Sequence, residues 1–291
     1  MGLHLSFGLC HLTLLGYYYA IVMIDALVHP YFLLLPHDIA SVAAAMVWGQ
    51  KMDLSQTVYE MFKITGLVHL LVLSGQNITL LLGFFAGLEK KLGYKMKAIL
   101  TICISVFYVV LFKDPPILRA VCMATMASLA LMFDAPVSGL WAFIITAFGL
   151  LIAHPQWITS ISFLLSAGAT LGILLFYLPI RSWLLRRISL RNSFIDYCID
   201  AGALTLSAQV FTTPLLLAFF RELSLVSIPM NIAVGWIIEP IMVVGVLESI
   251  VYYIYTPLAM LGGYILFGLI SALLIIVRLG TPIANLFMLR I

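Results

Sequence analysis

Apolar residues run through most of this chain in long stretches, separated by short polar or proline-containing segments. A helix needs about 20 apolar residues to cross the hydrocarbon core of a membrane, so the stretches predict transmembrane helices. Turn signals such as Asp114-Pro115-Pro116 and Thr256-Pro257 stand between them. The pattern therefore predicts an all-α fold, a polytopic transmembrane helical bundle of about nine spans. The predicted spans are 5–28, 67–88, 98–112, 116–133, 137–153, 158–180, 198–220, 226–250 and 258–279.

Residues 37–65 differ from these spans because charged side chains alternate there with apolar ones at helical spacing. This pattern is typical of an amphipathic helix that lies in the membrane interface. The charged residues are Lys51, Asp53, Glu60 and Lys63.

The predicted span 67–88 contains a polar interruption. His69 is followed by Ser74-Gly75-Gln76-Asn77, which places a hydroxyl, a helix-weakening glycine and two amides in consecutive positions. Unsatisfied polar groups in hydrocarbon cost several kcal/mol each, so a broken helix survives only inside the protein or beside a watery cavity. We therefore expect a discontinuous helix that faces a polar cavity.

The composition agrees with a membrane setting. Hydrophobic residues make up 64% of the 291 residues and charged residues only 9%, with a mean hydropathy of +1.16. A soluble domain carries roughly 25% charged residues, so the class of soluble globular proteins is excluded. The four cysteines are dispersed in apolar stretches and predict neither a disulfide framework nor a metal site.

Two basic loops set the predicted orientation. The positive-inside rule places both in the cytoplasm, and the even number of predicted spans between them agrees. Counting onward puts the C-terminus outside, and counting backward puts 37–65 outside. Nucleic-acid binding by these loops is the alternative to topology anchoring. The basic residues are Lys90, Lys91, Lys95 and Lys97 in one loop and Arg181, Arg186, Arg187 and Arg191 in the other.

Charged residues within spans are costly and so are candidate functional residues. Arg119 stands in the first turn of its predicted helix, where it either extends to the interface or faces a pore. Glu239 lies near the middle of its span and precedes Pro240, which breaks helical hydrogen bonding. Either it is a protonated structural residue or it serves a site. Glu248, near the end of the span, is expected at the interface.

Two spans carry polar stripes at helical spacing. Such stripes form helix–helix contacts or line a pore, and the Gly168-xxx-Gly172 spacing fits close helix packing. The stripe residues are Ser162, Ser166 and Thr170 in one span, and Thr205, Gln209 and Thr212, followed by Thr213 and Pro214, in the other.

Enzymatic chemistry is not predicted. His69 and Ser74 are candidates for a catalytic Ser–His pair, yet a five-residue separation puts them on different faces of a continuous helix. No HExxH or comparable ligand set occurs, so the sequence predicts no catalytic residue, no metal and no cofactor.

Four segments, in order, resemble the ComEC family of bacterial competence proteins. Together they cover about Leu33 to Gly245, and each alone is a weak signal. They are Thr65-Gly66-Leu67-Val68-His69 with Ser74-Gly75; Pro116-Ile117-Leu118-Arg119-Ala120; His154-Pro155 with Ser162-Phe163-Leu164-Leu165-Ser166; and Ala208-Gln209 through Thr212-Thr213-Pro214 with Asn231 and Glu239-Pro240.

The resemblance implies a multi-pass protein of the bacterial plasma (inner) membrane. It would form a channel that passes single-stranded DNA into the cytoplasm. The implied partners are a cytoplasmic motor helicase, a separate nuclease, a DNA receptor and the lipid bilayer. It divides the chain into an N-terminal transmembrane segment (1–32), the competence domain (33–280) and a C-terminal tail (281–291). The residues expected along the path are His69, Ser74, Gly75, Gln76, Asn77, Arg119, Ser162, Ser166, Gln209, Thr212, Pro214, Asn231 and Glu239.

The sequence departs from the family at two points. Gln76-Asn77 stand where many relatives have a histidine-bearing sequence, so no role of that histidine is carried over. The oligonucleotide-binding and metallo-β-lactamase-like domains of larger members do not occur in this sequence, which is read as a minimal channel module, a fragment or one subunit. Two other function classes remain open: a small-molecule or ion secondary transporter with a broken-helix site, and a structural scaffold.

Overall fold

The computed structural model describes residues 2–51, 53–72, 75, 89–136, 138–188 and 192–290. Helices account for most of them, so the all-α prediction is confirmed. In chain order they are α1 (Gly2–Leu34), α2 (His37–Trp48), α3 (Gln56–Ile64), α4 (Glu89–Leu111), α5 (Pro115–Met132), α6 (Gly139–Ala153), α7 (Ile161–Arg187), α8 (Ser193–Phe220), α9 (Ser227–Ile254) and α10 (Thr256–Leu286). Short 3₁₀ helices cover Val68–Leu71 and Pro155–Thr159.

Every predicted span except 67–88 coincides with one of these helices. By length and composition, α5, α7, α8, α9 and α10 are each able to cross a membrane. Shorter apolar helices cover Tyr18–Leu34 of α1 and all of α6. The chain is therefore a membrane protein. The span 67–88 lies mostly outside the described residues, which include only its 3₁₀ turn, Val72 and Gly75.

The prediction of an interfacial helix is wrong for residues 37–48. These residues form α2, in which every side chain from Ile39 to Trp48 is buried. Alanines and other small residues on all sides let neighbouring helices approach closely, and a helix that is apolar all round belongs in a core. A left-handed Gly49 (φ 69°) ends α2, so α2 and α3 are separate helices.

The segment that follows α2 runs lengthwise along α9 and does not lie in the plane of the membrane interface. Trp48 hydrogen-bonds Ser249 near the end of α9, whereas a Cβ on Gly66 would touch Ser227 at its start. Those two positions on α9 are about 33 Å apart at the helical rise of about 1.5 Å per residue. Within this segment α3 keeps an amphipathic pattern, with Val58 and Phe62 buried.

A short antiparallel ribbon closes one end of the bundle. Strand β1 (Glu222–Ser224) follows α8, and β2 (Met288–Arg290) follows α10. Ser224 pairs with Met288. Lys63 at the end of α3 forms a 2.7 Å ion pair with Glu222 of β1. We call this end of the bundle, where α3, α8 and α10 finish and α9 begins, the ribbon end.

The α7–α8 hairpin is held by close backbone contact. A Cβ on Gly172 of α7 would lie 2.2 Å from the Ser207 carbonyl oxygen of α8, so only glycine fits at this crossing. Arg181 and Asp200 also join the two helices through an ion pair of 2.5 Å. The glycine spacing in α7 thus serves helix packing.

Candidate polar site at the ribbon end

Three of the residues predicted to line a path, Ser74, Gln76 and Asn77, lie outside the described residues. The remaining residues fall into four groups in the structure: a polar cluster around Ser227, a contact between Gly75 and Arg119, the α7–α8 stripes, and Glu239 alone.

Gly66 fixes the chain at the entry to the broken segment. Its φ of 76° is in the left-handed region, and an added Cβ would lie 2.6 Å from the Ser227 Cβ and 3.3 Å from that of Ser224. Only glycine meets both requirements, since it adopts this φ without penalty and allows close backbone approach. Gly66 therefore joins the broken segment directly to α9 and β1.

His69 follows in the 3₁₀ turn and its side chain is exposed. The Nδ1 atom lies 3.2 Å from the Gly66 carbonyl oxygen, which fixes the ring against its own backbone. The imidazole also faces the Asn231 amide of α9. Two motifs that are more than 150 residues apart in sequence meet here.

Ser227 brings a second residue of the fourth segment, Gln209, to the same place. The Gln209 Nε2 of α8 donates to the Ser227 Oγ at 2.7 Å. The Asn231 Nδ2 donates to the Ser227 carbonyl oxygen at 2.8 Å, one turn earlier on α9. Because α9 begins at Ser227, this carbonyl belongs to the first turn of the helix. We call Gly66, His69, Gln209, Ser227 and Asn231 the polar junction.

Ser227 was not predicted from the sequence, whereas the other members of the junction stand in the family-like segments. Serine at the first position of a predicted helix is common, so Ser227 carries no signal by itself. Its place between two proposed site residues, Gln209 and Asn231, is the one feature of the sequence that pointed to it.

Arg119 lies in the interior and meets the broken segment. Its residue surface is only 8% exposed, and Nε has no hydrogen-bond partner within the described ranges. A Cβ on Gly75 would lie 2.7 Å from the Arg119 Nη2 and 3.0 Å from the Pro116 carbonyl oxygen. The guanidinium thus packs directly on the glycine of the Ser-Gly motif. This brings a second pair of predicted residues together.

Apart from Gln209, the residues of the α7–α8 stripes do not join the junction. Thr212 donates to the Ala208 carbonyl of its own helix at 3.1 Å, and the Ser166 carbonyl accepts from Thr170 at 3.0 Å. Ser162 and Pro214 are exposed. Such back-bonding satisfies the hydroxyls locally and leaves these residues available for helix contacts. Their role in a path stays a prediction.

The exposure of the two glutamates of α9 is the reverse of what the sequence predicted. Glu239, expected to need an interior partner, is exposed, as is Pro240. Glu248, expected at the interface, is only 2% exposed. The position of a residue along a span indicates its depth but not the side of the helix that it occupies. For these two glutamates, the side of the helix determines whether the side chain is buried.

The junction contains no Lys, Arg, Asp or Glu; its side chains are two amides, one hydroxyl and one imidazole. Within the described part of the chain, no group of three or more His, Cys, Asp or Glu residues is placed to hold a metal ion. Amides and hydroxyls both donate and accept hydrogen bonds, so the junction is suited to replacing water around a polar ligand. The geometry of the junction does not identify a nucleophile with an adjacent base, as a catalytic site would require.

Comparison with known proteins agrees with the motifs. The family model described as "Competence protein" matches residues 46–286. ComE operon protein 3 of Bacillus subtilis (strain 168) is 25% identical over 204 residues, which is 68% of this chain. The chain spans 24% of the length of that relative. No solved structure matches.

The polar junction, Gly75 and Arg119 all fall within the matched residues. The ComEC-type resemblance drawn from the four sequence segments is confirmed. Since the family model covers most of its length, the chain belongs to the competence protein family.

Proposed function

We propose that this chain is the membrane module through which single-stranded DNA passes into the cytoplasm during bacterial transformation. The observation that carries the proposal is the polar junction itself. Residues from the first and fourth family-like segments, His69, Gln209 and Asn231, meet around Ser227 at the ribbon end of the bundle.

The chemistry of the junction suits a strand in transit. A polyanion must keep its phosphates solvated while it crosses hydrocarbon, which requires polar groups along the way. Dense positive charge would hold the strand, since phosphate contacts dominate affinity for nucleic acids. Neutral amides and hydroxyls avoid this retention, and Arg119 supplies one buried cation on α5.

The orientation follows from the basic loops. With 181–191 in the cytoplasm of a bacterium, the opposite end of α8 lies outside the inner membrane. The ribbon end and the polar junction then face the side from which DNA arrives. Arg119, four residues beyond the start of α5, lies toward the same side. In this orientation the junction forms part of the entrance.

The proposed partners supply what these residues do not. A strand crossing a neutral path needs an external source of work, which we assign to a cytoplasmic motor helicase. A DNA receptor outside and a separate nuclease complete the proposed pathway. The membrane module itself is proposed to be non-enzymatic.

The proposal is tested by measuring the entry of fluorescent DNA into a transformable strain that carries this chain as its sole copy. Gln209→Leu removes the donor to Ser227, and an unsatisfied buried group costs about 1–3 kcal/mol. We expect DNase-resistant fluorescence to fall about tenfold or more, while surface-bound DNA stays unchanged. Gln56→Leu is the matched control, because Gln56 is exposed on α3 and bonds only Glu60 of its own helix.

Normal DNA entry in Gln209→Leu at matched membrane abundance would contradict the role of the junction. Normal DNA entry after deletion of the whole chain would contradict the proposed function. Unchanged DNA entry with altered ion or solute flux would favour the secondary-transporter hypothesis instead.

A further inference from the structure

A buried carboxyl group lies in the half of α9 that is far from the polar junction. Glu248 is 2% exposed, and neither side-chain oxygen has a hydrogen-bond partner among the described residues. Its Cβ and Cγ lie 3.5 Å from the position that a Cβ on Gly262 of α10 would occupy. The carboxyl group is thus enclosed between α9 and its neighbours in the bundle.

A hydrogen-bonded network lies beside this carboxyl group on the same helix. Trp48 of α2 donates from Nε1 to the Tyr31 hydroxyl at 3.1 Å and to the Ser249 Oγ at 3.0 Å. Ser249 donates to the Tyr31 hydroxyl at 2.8 Å. The Tyr31 hydroxyl in turn donates to the Gly245 carbonyl oxygen at 2.8 Å. These groups connect α1, α2 and α9 through polar contacts.

The network extends to α4 through ring packing. The Tyr108 ring stacks on that of Trp48 with centroids 6.5 Å apart. The Tyr108 hydroxyl and the Ser105 Oγ are buried and lack hydrogen-bond partners within the described ranges. Buried polar groups of this kind are commonly satisfied by internal water. Buried polar groups are therefore present on α1, α2, α4 and α9 in the half of the bundle that contains Glu248.

The neighbours of Glu248 named here supply no positive charge that would balance an ionised carboxylate. On the α10 side, Glu248 faces Gly262, which has no titratable group. Trp48 of α2 does not titrate either, and Tyr31 of α1 is the titratable group close enough to act on the carboxyl group electrostatically. The ion pairs in the described part of the chain, Lys63–Glu222 and Arg181–Asp200, lie elsewhere.

An ionised carboxylate without a partner is strongly disfavoured in such a setting. Desolvation of an unpaired buried charge costs several kcal/mol even after relaxation, so the group takes up a proton instead. A bound metal ion would need further ligands, and no suitable group of His, Cys, Asp or Glu occurs in the residues described. The proton is the ligand that fits a single enclosed carboxyl group.

We propose that Glu248 is a proton-binding site of the membrane bundle, which holds a proton while α9 and α10 are packed as described and releases it when water enters between them. The proton moves between solvent water and the carboxylate, so no other reactant is required. Opening of the α9–α10 contact is then linked to proton release, and closing to proton uptake. This goes beyond the proposed function and does not depend on it.

Infrared difference spectroscopy of the full chain in lipid nanodiscs tests this site. The carbonyl stretch of a protonated carboxyl group is resolved from that of carboxylates and shifts in heavy water. We expect this band at neutral pH in the wild type, its loss in Glu248→Gln, and its retention at a shifted frequency in Glu248→Asp. Glu239→Gln, a change at the exposed glutamate of the same helix, should leave the band unchanged.

The absence of a protonated-carboxyl band from the wild type at neutral pH would overturn the proposal, whatever the variants do. Retention of the band in Glu248→Gln would also overturn it. The spectrum is recorded without DNA, so failure of the channel hypothesis leaves this result unaffected.

Discussion

Gly66 and Ser227 approach so closely that a methyl group added to Gly66 would lie 2.6 Å from the Ser227 Cβ. The contact joins residues 161 positions apart (227 minus 66) and brings the broken segment to the first turn of α9. It positions His69 next to Asn231, so the geometry of the polar junction depends on it.

Gly66→Ala should therefore impair both folding and DNA entry. The variant carries a backbone penalty of about 1–2 kcal/mol for a non-glycine residue at positive φ, and a steric clash is added to it. Gly93→Ala is the control for a backbone penalty without a clash, because nothing lies within 4 Å of its Cβ position while its φ of 77° and ψ of 159° form a conformation nearly exclusive to glycine. Thermal unfolding in detergent and transformation frequency are the measurements. A transformation frequency as high in Gly66→Ala as in Gly93→Ala would show that the contact with Ser227 does not matter.

Gly172→Ala should separate α7 from α8. Its Cβ would lie 2.2 Å from a backbone oxygen that cannot rotate away, and overpacking of this kind costs about 1–3 kcal/mol. Gly149→Ala on α6 meets nothing within 4 Å and should be neutral or stabilising because alanine favours helix. Melting temperatures of the two purified variants make the comparison. A Gly172→Ala protein as stable as the wild type would contradict the close crossing.

Trp48→Phe should destabilise the bundle by about 1–3 kcal/mol, because Tyr31 and Ser249 lose the indole donor that they share. Trp236→Phe is the control: its indole is exposed and bonds the Ala233 carbonyl of its own helix. Unfolding followed by tryptophan fluorescence serves both variants. Similar stability of the two would show that the network contributes little.

Arg119→Lys should lower transformation although it keeps the positive charge. The planar guanidinium packs on Gly75 and presents several fixed donors, which an ammonium group does not reproduce. Arg221→Lys at the exposed end of α8 is the control for the same change. Transformation frequency at equal membrane abundance is the readout, and wild-type uptake in Arg119→Ala would remove Arg119 from the proposed path.

Cysteines introduced at Lys95 and Arg187 of a cysteine-free background should resist membrane-impermeant thiol reagents added from outside. A cysteine at Arg221, which the same orientation places outside, should react. Labelling of both cytoplasmic positions would invert the orientation, and labelling of one alone would contradict the predicted number of spans between them.

The sequence was informative wherever local pattern decides structure. The long apolar stretches located the helices α4 to α10, because an apolar segment satisfies its own backbone hydrogen bonds as a helix. Motif identity also selected Gln209 and Asn231, which do meet in the structure. The small residues of α2 were misread, since charges further along the segment suggested one amphipathic helix.

The remaining errors concern the direction of a side chain around its helix. Glu239 and Glu248 differ by nine residues, which leaves them on different faces at about 3.6 residues per turn. Which face is covered depends on α1, α2 and α10, and their arrangement comes from contacts distant in sequence. Ser227 was missed for the same reason, because its importance lies in what α8 and the Gly66 turn bring to it.

The pairing of β2 with β1 has a practical consequence for experiments. Ser224 lies across from Met288 in the ribbon and also borders Gly66, with its Cβ 3.3 Å from the position of an added methyl group. A fluorescent protein or affinity tag attached to β2 would therefore lie beside the polar junction and compete for the space through which DNA is proposed to arrive. Reporters inserted between α7 and α8, at the far end of α8 from the ribbon, avoid this interference.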